Sequence, residues 1–377
     1  MDWGTRTHLE NTCKREIMKI AIITFSDFNT NFGSILQSLA LKTFLESEGH
    51  EVTFIRYREF HSYKPDSLLL RIRIFLIRIY YMIYHNERKR RIMNFRDFID
   101  ANLPHTRLFT SEEDLEQNLE YYDAYICGSD QIWNIVGLGG LRTPYFLKFV
   151  PKGKIKLAYA PSMGDYTPSE DVLEQIGVLL KSFDAISTRE SRSSSIISNL
   201  LGKNILTVVD PTLLLSKNQW LQTVGPCDIP SREYAICYFV QRHPLAKEMV
   251  RFFKNKYKVP IYNVSDNLIH IPGTKNDFIA CSPGVFVNLV ANAKFCIGAS
   301  FHLAAFSTIF DKHCYIITTK HNKSRISELF GLVKRENHMT DGDFSLLPDL
   351  SSSIDYQQYD NIVSTSKQFL RSNLIAH

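Results

Sequence analysis

Short apolar runs alternate with longer stretches of helical period along most of the chain. Lys19–Phe25 (KIAIITF) reads as a buried strand. After the turn Asn31-Phe32-Gly33-Ser34, Ile35–Glu48 carries apolar residues at helical spacing. Gly49 ends that helix, and Glu51–Tyr57 (EVTFIRY) is the second strand. A β–α–β opening of this kind begins a doubly wound parallel sheet. Tyr122–Cys127, Lys156–Ala160, Ala185–Thr188 and Leu206–Val209 are predicted as further strands. They stop on Gly128-Ser129-Asp130-Gln131, Pro161-Ser162-Met163-Gly164, Arg189-Glu190 and Asp210-Pro211-Thr212. A parallel sheet gathers its strand ends along one edge, so these four clusters are predicted to line one crevice.

The pattern then repeats. A polar stretch containing Pro226 and Pro230 leads to strands at Tyr234–Val240, Pro260–Val264, Phe295–Ile297 and Cys314–Thr318. The predicted plan is a loose leader (1–17) and a first Rossmann-like domain (18–217) with a basic amphipathic insert at about 66–95. A linker (218–232), a second Rossmann-like domain (233–345) and a tail (346–377) follow. The tail is the candidate for a helix crossing back to the first domain. With 377 residues, 44% hydrophobic and 22% charged, the chain has room for two ordinary globular cores.

Composition narrows the chemistry. The seven cysteines form no CxxC pair and no zinc-like spacing, and most (Cys127, Cys237, Cys296, Cys314) lie in apolar runs and are expected to be buried free thiols, in a reducing, cytoplasmic compartment without a metal site. No GxGxxG fingerprint or Walker loop supports a dinucleotide or ATP site. The first residues lack the apolar core of a signal peptide. Residues 68–91 read LLLRIRIFLIRIYYMIYHNERKRR, and the interspersed arginines argue against a spanning helix. An interfacial helix lying on lipid and a core helix with a solvated basic end both stay open. No motif of a nucleic-acid reader occurs.

The segment Cys296–Phe306 (CIGASFHLAAF) is a strand–turn–helix junction with His302 at the helix mouth. Position makes His302 a candidate catalytic group, against the plain alternative of a helix-terminal histidine. Asn31–Gln37 (NFGSILQ), Gly128–Asn134 (GSDQIWN), Tyr145–Leu147 and Ala158–Gly164 (AYAPSMG) form the first part of an ordered series. Ser187–Glu190, Asp210–Leu214, Ser300-Phe301-His302 and Ser324-Arg325-Ile326 complete it. In this order, over roughly residues 19–335, the chain resembles the polysaccharide pyruvyl transferase family.

The resemblance implies a GT-B-like α/β fold, two Rossmann-like domains facing across a cleft. The first would hold the acceptor and the second the donor. It implies transfer of pyruvate from phosphoenolpyruvate to two hydroxyls of one sugar, giving a cyclic ketal and phosphate, with no cofactor. The acceptor would be a lipid-linked oligosaccharide of a capsule or exopolysaccharide, met at the cytoplasmic membrane face through residues 68–91. Histidine suits protonation of the enol carbon, so His302 is the expected general acid, with Asp130 as base. Arginine suits the donor's carboxylate and phosphate, which points to Arg189 and Arg325 with Ser300, Lys320 and Lys323. Asn31, Phe32, Gly33, Gln37, Gln131, Trp133, Asn134 and Ser162 are the expected acceptor contacts. Ser300 departs from members that carry arginine there, so another cation must serve the donor. Two other readings stay open: a GT-B glycosyltransferase using a nucleotide sugar, and a non-catalytic glycan-assembly protein.

Overall fold

The first half of the chain lays down seven strands: β1 (Lys19–Ile23), β2 (Glu51–Tyr57), β3 (His105–Phe109), β4 (Ala124–Cys127), β5 (Ile155–Ala158), β6 (Ala185–Thr188) and β7 (Leu206–Thr207). They pair in the order β3-β2-β1-β4-β5-β6-β7, parallel throughout. Four of the five β1 residues are buried, as expected of a strand covered on both faces. The helices of this half are α1 (Phe32–Ser47), α2 (His85–Asn102), α3 (Glu112–Asn118), α4 (Ile135–Leu138), α5 (Glu170–Leu180) and α6 (Ser191–Leu201). This computed structural model describes residues 17–27, 30–58, 77, 79–319, 322–351 and 354–375. Most of the predicted leader and the first part of the basic insert lie outside that range.

The second sheet has five parallel strands in the order β12-β11-β10-β8-β9. They are β8 (Ala235–Tyr238), β9 (Ile261–Asn263), β10 (Phe295–Gly298), β11 (His313–Ile317) and β12 (Met339–Thr340). Helices α8 (Ala246–Tyr257), α9 (Pro283–Asn292), α10 (Phe301–Ile309) and α11 (Lys323–Leu332) cover it. The stretch read as a linker is helical at its start, as α7 (Lys217–Val224). A capping box between Ser216 and Gln219 starts that helix, and buried Trp220 donates to the carbonyl of Thr212. Helix α12 (Gln357–Asn373) reaches the first half of the chain: Arg371 pairs with Glu48, and Ser366 Oγ accepts from the amide of Val209.

The two halves do not merely face each other. One hydrophobic cluster runs through both, joining Ile20 and Leu36 of the first half to Phe286 and Leu303 of the second. Phe32 stacks on Phe286 across the junction, with ring centroids 4.4 Å apart. This apolar seam holds the starts of α1 and α10 against one another, and the candidate site is built there.

Candidate active site

Both helix starts are capped by the side chain before them. Asn31 accepts from Ser34 N at the start of α1, and Ser300 from Leu303 N at the start of α10. His302 therefore stands in the first turn of α10, its side chain 12% exposed. Its ring lies on Gly33, where an added Cβ would sit 2.0 Å from Nδ1. Only a residue without a side chain lets α1 approach this closely. Gly33→Ala is expected to push the imidazole aside and lower kcat about 100-fold with the fold retained. Steady-state kinetics with a thermal melt checks this, and an unchanged kcat would overturn the proposed role of His302.

The opposite edge of the ring faces a carboxylate. His302 Nε2 lies 3.6 Å from Asp210 Oδ2, a charge contact slightly too long for a hydrogen bond. Asp210 is fully buried and also takes Arg189 Nη1 at 2.8 Å and the amide and hydroxyl of Thr212. Burial alone would raise its carboxyl, but His302 and Arg189 hold it below the usual carboxylate range. A second carboxylate, Asp266, comes from the loop after β9 and lies within electrostatic reach of the same imidazole. Asn31 Nδ2 donates to it at 2.6 Å and the Tyr238 hydroxyl at 3.0 Å. Arg91, 2% exposed, pairs with its other oxygen at 2.6 Å and also donates to the carbonyls of Thr30 and Ile279. Burial raises the Asp266 carboxyl to about 6 despite these partners.

Arg189, expected as a donor-binding cation at a strand end, is held in ion pairs. Its side chain is buried between Glu190 (3.0 Å) and Asp210 (2.8 Å), over the ring of Phe301. Burial opposes its charge, yet the two carboxylates outweigh burial and hold the proton more firmly than usual. Nη2 alone has no hydrogen-bond partner among the described residues. Arg325 opens α11 nearby; burial and the like charge of Arg189 push it below its ordinary pKa, against the pull of Glu190, Asp130 and Asp165. A cavity of about 270 Å³ joins Arg189, Glu190, Asp210, Phe301, Arg325 and Leu329. It adjoins the imidazole through Asp210, and its walls are largely apolar.

Asp130 has φ +71°, a left-handed conformation that aspartate tolerates better than most residues. Its carboxylate accepts from Ser34 Oγ at 2.6 Å and from the amide of Gln131 at 2.8 Å. Gln131 and Asn134 bond each other beside Gly164. Four of the expected acceptor contacts are buried within the fold. Phe32 and Trp133 are core residues, with the indole donating to the carbonyl of Tyr145. Gln37 is fully buried, and its amide bonds Thr24 and Ser38. Ser162 is likewise buried, its hydroxyl accepting from Gly164 N, and the Ser300 hydroxyl is spent on the α10 cap. Lys323 is exposed at the start of α11, and Lys320 lies outside the described residues. Asp210, Asp266 and Arg91 were missed as site residues. Asp210 showed only within a strand-end cluster and the motif Asp210–Leu214.

Two parallel sheets in two packed halves, with helix starts of both meeting at one imidazole beside buried carboxylates, define a two-domain α/β protein of the GT-B-like class. The chain matches the family model of polysaccharide pyruvyl transferases over residues 31–321 and belongs to that family. No curated protein matches it in sequence. Among solved structures it superposes on UDP-GlcNAc 2-epimerase from Methanocaldococcus jannaschii with a TM-score of 0.53 and 13% identity, covering 94% of this chain and 99% of that one. MnaA of S. aureus with UDP gives 0.48 and 12% identity, covering 96% and 98%. At such identities the likeness concerns the fold alone.

Proposed function

We propose that this enzyme moves pyruvate from phosphoenolpyruvate to two hydroxyls of one sugar in a surface-polysaccharide precursor. The observation that carries this reading is the His302 imidazole, held on Gly33 at a helix start between carboxylates from both halves. His302 gives its proton to the methylene carbon of the enol, and the π electrons form that C–H bond. The adjacent carbon becomes oxocarbenium-like, and the first hydroxyl adds to it as its proton passes to Asp130. Phosphate then leaves with the C–O bond electrons, the second hydroxyl closes the ketal, and its proton leaves on phosphate. The first hydroxyl's proton restores the imidazole. Arg325 and Arg189 Nη2 neutralise the donor's carboxylate and phosphate, while Gln131 and Asn134 hold sugar hydroxyls. The acceptor is lipid-linked in this reading, and the enzyme works against the cytoplasmic membrane face through residues 68–91.

The test supplies phosphoenolpyruvate with extracted lipid-linked glycan intermediates. Phosphate release and an acceptor mass gain equal to one pyruvyl ketal are expected. Turnover of a nucleotide sugar, with none of phosphoenolpyruvate, would sink the reading.

A further inference from the structure

Helix α2 has two unlike faces, and only the inner one is used by the rest of the chain. Backbone bonds from Tyr84 N to Tyr80 O and from Arg88 N to Tyr84 O carry helical geometry from residues 79–83 into α2. Tyr80, Tyr84, Arg91, Phe95 and Ile99 fall on one stripe of this combined helix. Tyr84 stacks on His270 at 4.2 Å, the Tyr80 hydroxyl donates to the carbonyl of Leu268, and Arg91 is clamped to Asp266. Phe95 and Ile99 are buried. The helix is thus bolted to the second half of the chain and cannot roll to hide its other side.

That other side is apolar and basic at once. Met82 (73% exposed), Lys89, Met93 (50%) and Arg96 lie along one outward stripe, with Arg88 and Ile92 beside it. Twelve large hydrophobic side chains of the described residues are exposed, and five of them (Ile77, Met82, Ile83, Ile92 and Met93) fall between residues 77 and 93, around the exposed sides of this helix. Scattered single residues would need no explanation, but this concentration does. Glu87 is the only acidic residue between 77 and 96, and the exposed Asp97 and Asp100 lie beyond them toward the end of the helix. Among the described residues no helix is long and apolar enough to cross a membrane.

We infer that the outer face of α2 and residues 79–83 docks on an anionic lipid surface, lying flat with Met82 and Met93 in the headgroup boundary. Isoleucine and methionine insert while Arg88, Lys89, Arg90 and Arg96 meet lipid phosphates, a division of labour that suits a charged bilayer surface. This deepens the reading of a lipid-linked acceptor and rests on it for its biological sense. The buried clamp at Arg91 ties the docked helix to Asp266 and so to the seat of His302.

Full-length protein is to be sedimented with vesicles of phosphatidylcholine alone and of phosphatidylcholine with phosphatidylglycerol. Binding is expected to the anionic vesicles, little to the neutral ones, and to weaken with added salt. Charge reversal (Arg88→Glu, Lys89→Glu, Arg90→Glu) should weaken partitioning more than about 100-fold, at roughly fivefold per cation removed. Ile92→Ser with Met93→Ser should weaken it about tenfold or more. Every substituted position is exposed, so circular dichroism should be unchanged. Equal binding to both vesicle types, or full binding by the charge-reversed protein, overturns the inference. So does a wild-type dimer that the same substitutions turn into a monomer, since a second copy would then be the occupant. Vesicle binding needs no turnover, so a failure of phosphoenolpyruvate chemistry would leave this result standing.

Discussion

His302→Ala is expected to lower kcat by a factor of about 100 to 10,000 with the fold intact. The imidazole meets the starts of both α1 and α10, and the reaction needs a proton on carbon. Asp210 keeps Arg189 and Thr212 after the change, so no buried carboxylate is stranded. Stability should therefore move by no more than about 1 kcal/mol. Because the proton transfer belongs to the transition state, kcat and kcat/KM should fall together with KM nearly constant. A rise in KM at unchanged kcat would make His302 a binding group and require another acid.

Arg91→Met is expected to cost about 3–5 kcal/mol of stability at pH 8, because it leaves Asp266 buried without its cation. Methionine can fill the space beside Phe32 and Phe95, whose rings lie 4.7 and 5.1 Å from the guanidinium, so loss of packing is not the main term. The deficit should depend on pH, and its sign follows from Asp266. Its carboxyl stands at about 6 in the folded chain, against about 3.9 for a free aspartate. A folded state that holds a proton more tightly than the unfolded chain loses stability as pH rises through that window. Without Arg91 the carboxyl rises further, with Asn31, Tyr238 and His302 still facing it, and the window extends above 6. The variant should therefore be closest to wild type near pH 5 and furthest near pH 8 in denaturant titrations. Asp266→Asn on top of Arg91→Met should recover part of the loss. A deficit that is equal at both pH values would show that the ion pair is not its source.

The parallel sheets were legible because buried strands in such sheets are short, continuous apolar runs that stop on glycine, serine or aspartate. Residues Gly128–Gln131 and Arg189-Glu190 stand at strand ends as the pattern predicted. The family motifs were legible too, but a motif does not separate ligand contacts from framework. Phe32, Gln37 and Trp133 belong to the framework because the apolar seam and the sheet cover them. Arg91 reads in sequence as the last of four solvated cations, Arg88-Lys89-Arg90-Arg91. Its spacing from Phe95 and Ile99 places it on the inner stripe, a helical signal that charge alone conceals.

By itself, the sequence determined the α/β class, the family and the mouth of α10 as the place of the histidine, since these depend on local period and on motif order. Which groups meet that histidine was decided only in three dimensions. Asp210, Asp266 and Gly33 come from a strand end, a loop and a helix start, and they converge because two sheets share one hydrophobic seam. That seam also buries Arg189 in ion pairs and turns Arg91 inward. Residue type sets what a side chain can do, but burial and partners, which arise from contacts distant in the chain, set what it is free to do.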